Sequence, residues 1–144
     1  MRDRVIRRSD HRVIWKLRGC IRQVMMVSRQ EQMKARTREF AIRVVRLFRA
    51  LPKTEEARII GRQVLRSGTS VAANYRAVGR ARSRAEFVSK IGTVVEEADE
   101  TAFWLDLLVA TGIMPEAKLK DLISEANELL AIFAASQRTA KGRQ

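Results

Sequence analysis

Apolar residues recur along this chain at three- and four-residue spacing, the period of one helix face, and no stretch alternates as a strand would. Phe40, Val44, Leu47, Phe48 and Leu51 form the first clear stripe, on a helix predicted over about 31–50. Pro52 ends it, because the residue before a proline is pushed out of the α region. Thr54 is placed to cap the next helix, with Glu55 and Glu56 in its first turn, where the dipole favours acids. That helix is expected from about 55 to 80, burying Ile60, Val64, Gly68, Val71, Ala72, Tyr75 and Gly79. Gly61, Gly68 and Gly79, together with Ser67, Ser70, Ala72 and Ala73, make one side small and permit a close neighbour. Each glycine costs up to about 1 kcal/mol of helix propensity. A break near Ser67 is the competing arrangement, but the stripe keeps its phase on both sides of it.

Ser83 and Glu86 have the spacing of a capping box and open a third helix. Its stripe is Phe87, Ile91, Val94, Val95, Ala98, Ala102, Leu105 and Val109. Phe103 and Leu107 fall on the other side and imply a second buried contact, with another helix or another subunit. Thr111-Gly112 closes this helix. A fourth begins at Pro115, a favoured first position, and buries Leu119, Leu122, Ile123, Ala126, Leu129, Leu130 and Phe133. Four such helices with short connections predict an all-α fold, an antiparallel up-down four-helix bundle over residues 29–137. Residues 138–144 are expected to be a disordered tail, and 1–28 a basic N-terminal extension.

In that extension Val13, Ile14, Leu17, Ile21, Val24 and Met25 keep helical spacing among Arg2, Arg4, Arg7, Arg8, Arg12, Lys16, Arg18 and Arg22. Three readings are open: a basic amphipathic arm, a poorly ordered tail, or residues upstream of a true start at Met25, Met26 or Met33.

Composition agrees with one helical domain: 144 residues, 46% hydrophobic, with two prolines and seven glycines. Charge adds the functional hint. The net charge is +13, made of +7 in residues 1–30, +9 in 31–82 and −3 in 83–144. Such an excess repels itself in a compact chain, and a polyanion relieves it. Nucleic acid, RNA or DNA, is the first candidate; an anionic membrane ranks well below it. The arginines are also ordered. Arg58, Arg62, Arg66, Arg76 and Arg80 fall within a strip about 80° wide on the second helix, behind its apolar stripe. Arg43, Arg46, Arg82 and Arg84 are placed to extend it.

Catalytic chemistry finds little support. His11 is the only histidine, so Glu96, Glu97 and Glu100 lack the imidazoles of a di-iron bundle. Ser67 and Ser70 have no base, and no phosphate loop or dinucleotide fingerprint is present. A non-enzyme without metal, cofactor or small-molecule substrate is expected. Cys20 alone excludes an internal disulfide and suits the cytoplasm. Glu97 and Glu100, beside Trp104, are either a solvated acidic face or partners for arginines of the second helix.

The run LRSGTSVAANYRAVGRARSRAEFVSKIGTVVEEADETAFWLDLL, residues 65–108, resembles the four-helix-bundle family encoded in intervening sequences of bacterial 23S ribosomal RNA genes. Its carriers are Leu65-Arg66-Ser67-Gly68-Thr69-Ser70, Ala73-Asn74-Tyr75-Arg76, Glu86-Phe87, Glu97-Ala98-Asp99-Glu100 and Trp104-Leu105, and the likeness spans about residues 35–135. The chain departs from that pattern in its N-terminal extension and at Ala77-Val78. The resemblance implies a ring-like homopentamer. More distantly it is similar to the accessory variability protein of diversity-generating retroelements, which binds nucleic acid and a reverse transcriptase. Two expectations follow. One is phosphate binding, mostly sequence-independent, through the nine arginines above. The other is a structural adaptor for a protein such as a reverse transcriptase or ribosomal component. Ser67, Ser70, Asn74, Glu97, Glu100, Phe103, Trp104 and Leu107 would then form the oligomer or partner interface, and Arg66 serves either role.

Overall fold

The computed structural model describes residues 8–142, with side chains from Trp15 onward. Arg2, Arg4, Arg7, the last two residues, and the side chains of His11, Val13 and Ile14 lie outside that description. The chain contains α1 (Arg8–Ala50), α2 (Glu55–Val78), α3 (Arg84–Ala110) and α4 (Glu116–Lys141), an all-α fold. It divides into two compact units, Met1–Met33 and Lys34–Gln144. In the first, residues 15–29 are exposed helix; α1 starts at Arg8 instead of near residue 31, because no proline interrupts the periodic stretch and Gly19 stands alone in it.

The second unit holds the four-helix core. Apart from Ser67, buried beside Gly68, the helices bury residues at three–four spacing, the 3.5-residue period that keeps one seam facing its neighbours. On α1 these are Thr37, Phe40, Val44 and Leu47; on α2 Ala57, Gly61, Val64, Gly68, Val71 and Val78. On α3 they are Ile91, Val94, Ala98, Thr101, Leu105 and Leu108, and on α4 Leu119, Leu122, Ala126, Leu129 and Phe133. The seam of α2 follows the expected stripe at Val64, Gly68 and Val71 and adds Ala57, Gly61 and Val78. Ile60 and Ala72 lie half-buried at its edges, Tyr75 is half-buried in line with it with its ring 5.3 Å from that of Phe133, and Gly79 is exposed. Close approach to α1 explains Gly61 and Gly68: a Cβ on Gly68 would lie 2.8 Å from a Val44 methyl, and one on Gly61 would meet Leu51 and Phe48. Small residues face α1, and the larger Ile60 lies at the edge.

Pairs Val44/Gly68 and Phe48/Gly61 run α1 against α2 antiparallel, and Arg84/Ala140 and Gly92/Gln137 do the same for α3 and α4. The five-residue turn 79–83 reverses the chain between α2 and α3, giving the up-down order. α2 is unbroken at Ser67, whose hydroxyl bonds the Gln63 carbonyl at 2.9 Å. Thr54 caps α2 through the Ala57 N–H, and Ser83 caps α3 through the Glu86 N–H at 3.1 Å. The Glu86 carboxylate closes that cap on the Arg82 N–H at 2.7 Å, which with Lys90 holds its pKa below the usual carboxylate range. Gly112, at φ 72°, supplies the left-handed residue after α3.

Three helix ends differ from the sequence reading. α2 stops at Val78, so Arg80 lies in the turn beyond it. Pro115 is the N-cap of α4, its ψ of 139° placing it outside the helix. α4 continues to Lys141, through most of the stretch expected to be disordered, because Arg84 Nε donates to the Ala140 carbonyl at 2.6 Å. That bond satisfies one of the carbonyls a helix end leaves open.

Candidate nucleic-acid interface

The outer face of α2 is set by its inner one. With Ala57, Gly61, Val64, Gly68 and Val71 turned inward, residues about 100–180° round the helix from them face water. Arg58, Arg62, Arg66 and Arg76 are there, and all four are exposed. They span about 27 Å at 1.5 Å per residue. Between Arg66 and Arg76 this face carries only Thr69 and Ala73, so the strip is two clusters instead of one row.

The arginines differ in what else they touch. Arg58 pairs with Glu55 one turn earlier, and Arg66 pairs with Glu100 across on α3. Arg62, Arg76, Arg80 and Arg82 are exposed and make no ion pair among the described residues. Arg43, by contrast, is half-buried on α1, and its charge is felt by Glu125 of α4. It belongs with the α1–α4 contact, not the α2 strip. Arg46 is exposed, 3.8 Å from Glu39 on its own helix. Arg84 is committed to capping α4. That cap brings Arg138 and Lys141, the last-turn cations of α4, to the end of the bundle carrying Arg80 and Arg82. The sequence reading missed both, because only the α3–α4 contact joins positions 84 and 140.

Beside the strip lies a smaller polar cluster. Trp104 Nε1 donates to Glu100 Oε1 at 3.1 Å, and this bond, reinforced by Arg66, holds the Glu100 carboxyl below its ordinary pKa. Glu97, one turn earlier, is pushed the other way by burial, which outweighs the nearby Arg66 charge. Its Oε2 is buried and accepts no hydrogen bond among the described residues. Phe103 is 57% exposed and lies edge-on to Trp104, ring centroids 4.9 Å apart. Leu107 is half-buried. Arg66 is thus neither free nor enclosed: it ties α2 to α3 at the surface.

Of the three small polar residues of α2 expected at an interface, Ser67 is enclosed within the chain itself. Ser67 is fully buried, with Thr101 Oγ1 2.9 Å from its Oγ and 2.6 Å from the Glu97 carbonyl; Thr101 has one proton to share between them. The hydroxyl of Ser67 is used inside a single bundle. Asn74 Nδ2 donates to the Ser70 carbonyl at 3.0 Å, a bond within α2, and both are half-buried. Away from the strip, Arg36 grips Glu125 through two bonds of 2.7 and 2.8 Å and reaches Glu128 at 2.6 Å. These contacts hold Glu125 below and Arg36 above their ordinary pKa values.

Among the described residues no helix is long and apolar enough to cross a membrane.

Comparison with known proteins places these features in context. The model of the 23S rRNA-intervening sequence protein family matches residues 29–135. The chain is similar to the crystal structure of a protein of unknown function from the S23 ribosomal protein family of Bacteroides thetaiotaomicron VPI-5482. The two share 31% identity over 76% of this chain and 97% of that one, with a TM-score of 0.70. No curated protein matches the sequence.

Proposed function

The chain belongs to the 23S rRNA-intervening sequence protein family, and from that footing we propose that it is a non-enzymatic, pentameric bundle that binds RNA or DNA in the cytoplasm. The observation that carries this reading is the set of exposed arginines on the outer face of α2 and in the turn after it, of which Arg62 and Arg76 on the helix and Arg80 and Arg82 in the turn make no ion pair among the described residues. Guanidinium groups held in this way meet phosphates without first giving up an acidic partner. Few aromatic side chains interleave with them, so contacts are to the backbone and sequence preference is low. Repetition of the strip in an oligomer multiplies a modest affinity.

The test replaces Arg62, Arg76 and Arg80 with Glu and measures binding to 23S rRNA fragments across a salt series. Each lost phosphate contact lowers the slope of log K against log salt by roughly 0.7–0.9, so the triple variant is expected to lose about 2–3 units of slope. An unchanged slope and affinity would refute the reading.

A second reading is favoured by the Arg66–Glu100–Trp104 network with Phe103 beside it. This is an adaptor face for a protein partner, and it predicts loss of that partner, with nucleic-acid binding intact, on Trp104→Ala.

A further inference from the structure

The chain carries two unpartnered faces of opposite sign. The first is on the N-terminal part of α1. No acid occurs between Asp10 and Glu31, while Arg12, Lys16, Arg18, Arg22 and Arg29 supply five positive charges. On the helix Leu17, Cys20, Ile21, Val24 and Met25 fall within an arc of about 140°, bordered by Lys16 on one edge and by Arg18, Arg22 and Arg29 on the other. Leu17, Ile21, Val24 and Met25 are each more than half exposed. The second face is on α3, where Glu96, Asp99, Phe103 and Asp106 stand at i, i+3, i+7 and i+10, all exposed. None of the three acids makes an ion pair among the described residues. Phe103 projects from their midst, steadied by Trp104.

We propose that the apolar face of this arm docks on the acidic, Phe103-bearing face of α3 in a second copy of the chain. Leu17, Ile21 and Val24 cover Phe103, while the basic edges of the arm lie along Glu96, Asp99 and Asp106. Both faces are then accounted for by one contact. A nucleic acid would take the basic edges and leave the apolar arc in water. An anionic membrane would take the arc and its edges but repel the acids around Phe103. Because the arm and α3 present different surfaces, the contact is heterologous, and repeating it closes a ring or extends a filament. The proposal rests on the homo-oligomeric part of the function proposed above and is independent of nucleic-acid binding.

Cys20, the single and exposed cysteine, lies within the docking arc and makes the contact trappable. The experiment introduces Phe103→Cys into the full chain, oxidises it at micromolar concentration, and resolves the products under denaturing, non-reducing conditions. A chain with one thiol cannot link beyond a dimer, so trimers and larger species require both thiols. Peptide mapping of the ladder is expected to show Cys20 of one copy joined to the introduced thiol of another, and like-to-like disulfides alone would overturn the proposal. A ladder extending past the dimer is expected, lost on Cys20→Ser, weakened at least several-fold between 50 and 500 mM salt, and lost when Asp99→Lys and Asp106→Lys are added. Asp99→Cys, on the same face, gives the same ladder and guards against a local effect of the first substitution. Products ending at the dimer, a crosslink confined within one chain, or co-sedimentation with vesicles of anionic phospholipid that abolishes the ladder would each overturn the proposal. Should the uncrosslinked protein still be a pentamer by native mass while no ladder forms, arm docking fails and the oligomer stands.

Discussion

Replacing Gly68 by alanine puts the close approach of α1 and α2 to a numerical test. In a helix interior the change ordinarily gains about 1 kcal/mol, because alanine loses less backbone freedom on folding. Here the new Cβ would sit 2.8 and 2.9 Å from the two methyls of Val44 and 3.3 Å from its Cβ. Carbon atoms rest at about 3.5–4.0 Å. Val44 is fully buried and, being β-branched, has one favoured rotamer in a helix, so it cannot turn away. The helices must separate by several tenths of an ångström along the seam, and overpacking of this kind costs about 1–3 kcal/mol. The propensity gain is therefore cancelled or outweighed, and the net expectation runs from no gain to a loss of about 2 kcal/mol. Gly92→Ala is the control. Its Cβ meets the end of the Gln137 side chain at 2.8 Å, a flexible amide that can swing aside, so the propensity gain of about 0.5–1 kcal/mol survives. One substitution at two mid-helix glycines should thus differ by about 0.5–3 kcal/mol in urea denaturation followed by helical circular dichroism. Protein concentration is held fixed because assembly contributes to apparent stability. If Gly68→Ala gains stability as Gly92→Ala does, so that the two variants shift alike, the close-approach reasoning is wrong.

Other outcomes follow from the polar contacts. Glu125, its pKa lowered by Arg36, contributes stability that is present at neutral pH and lost as pH falls below about 4.5, the group's ordinary value. Glu125→Gln should therefore cost about 1–2 kcal/mol at pH 7, allowing for the part-exposed Arg36, and should flatten the acid limb of a stability–pH curve. Glu97, shifted upward by burial, has the opposite sign: its ionised form opposes folding at neutral pH and the penalty fades as pH falls. Glu97→Gln should leave melting at pH 7 unchanged or slightly raised, and a clear loss would contradict the burial argument. Ser67→Ala and Thr101→Val, combined in a double-mutant cycle, should show a coupling of about 0.5–1 kcal/mol, small because each hydroxyl keeps a carbonyl of its own helix.

Much of the fold was legible because helix patterning is local. The period of the stripes, Pro52, the Thr54 and Ser83 caps and Gly112 each act within a few residues, so they place four helices and their turns without knowledge of what packs where. The strip of Arg58, Arg62, Arg66 and Arg76 followed from the same arithmetic: four side chains on one helix share a face whatever surrounds them. The errors came where a neighbour decides. How deeply the edge of α2 is buried depends on how near α1 can come, and with Val44 against Gly68 the larger Ile60 stays half-buried beside the seam. Arg43 resembled a member of the basic strip until α4 set Glu125 near it. Ser67 resembled an interface residue until Thr101 met it from α3.

The sequence by itself determined most of the helix boundaries, the Thr54 and Ser83 caps and the arginine-bearing face of α2, since these depend on spacings within a single helix. Only the tertiary structure decided which of those arginines keep their charge for a ligand. Arg66 and Glu100 are 34 residues apart, Arg36 and Glu125 are 89 apart, and Arg84 and Ala140 are 56 apart. No local pattern encodes such pairs, because they form only when packing brings distant turns within reach of a long, flexible side chain.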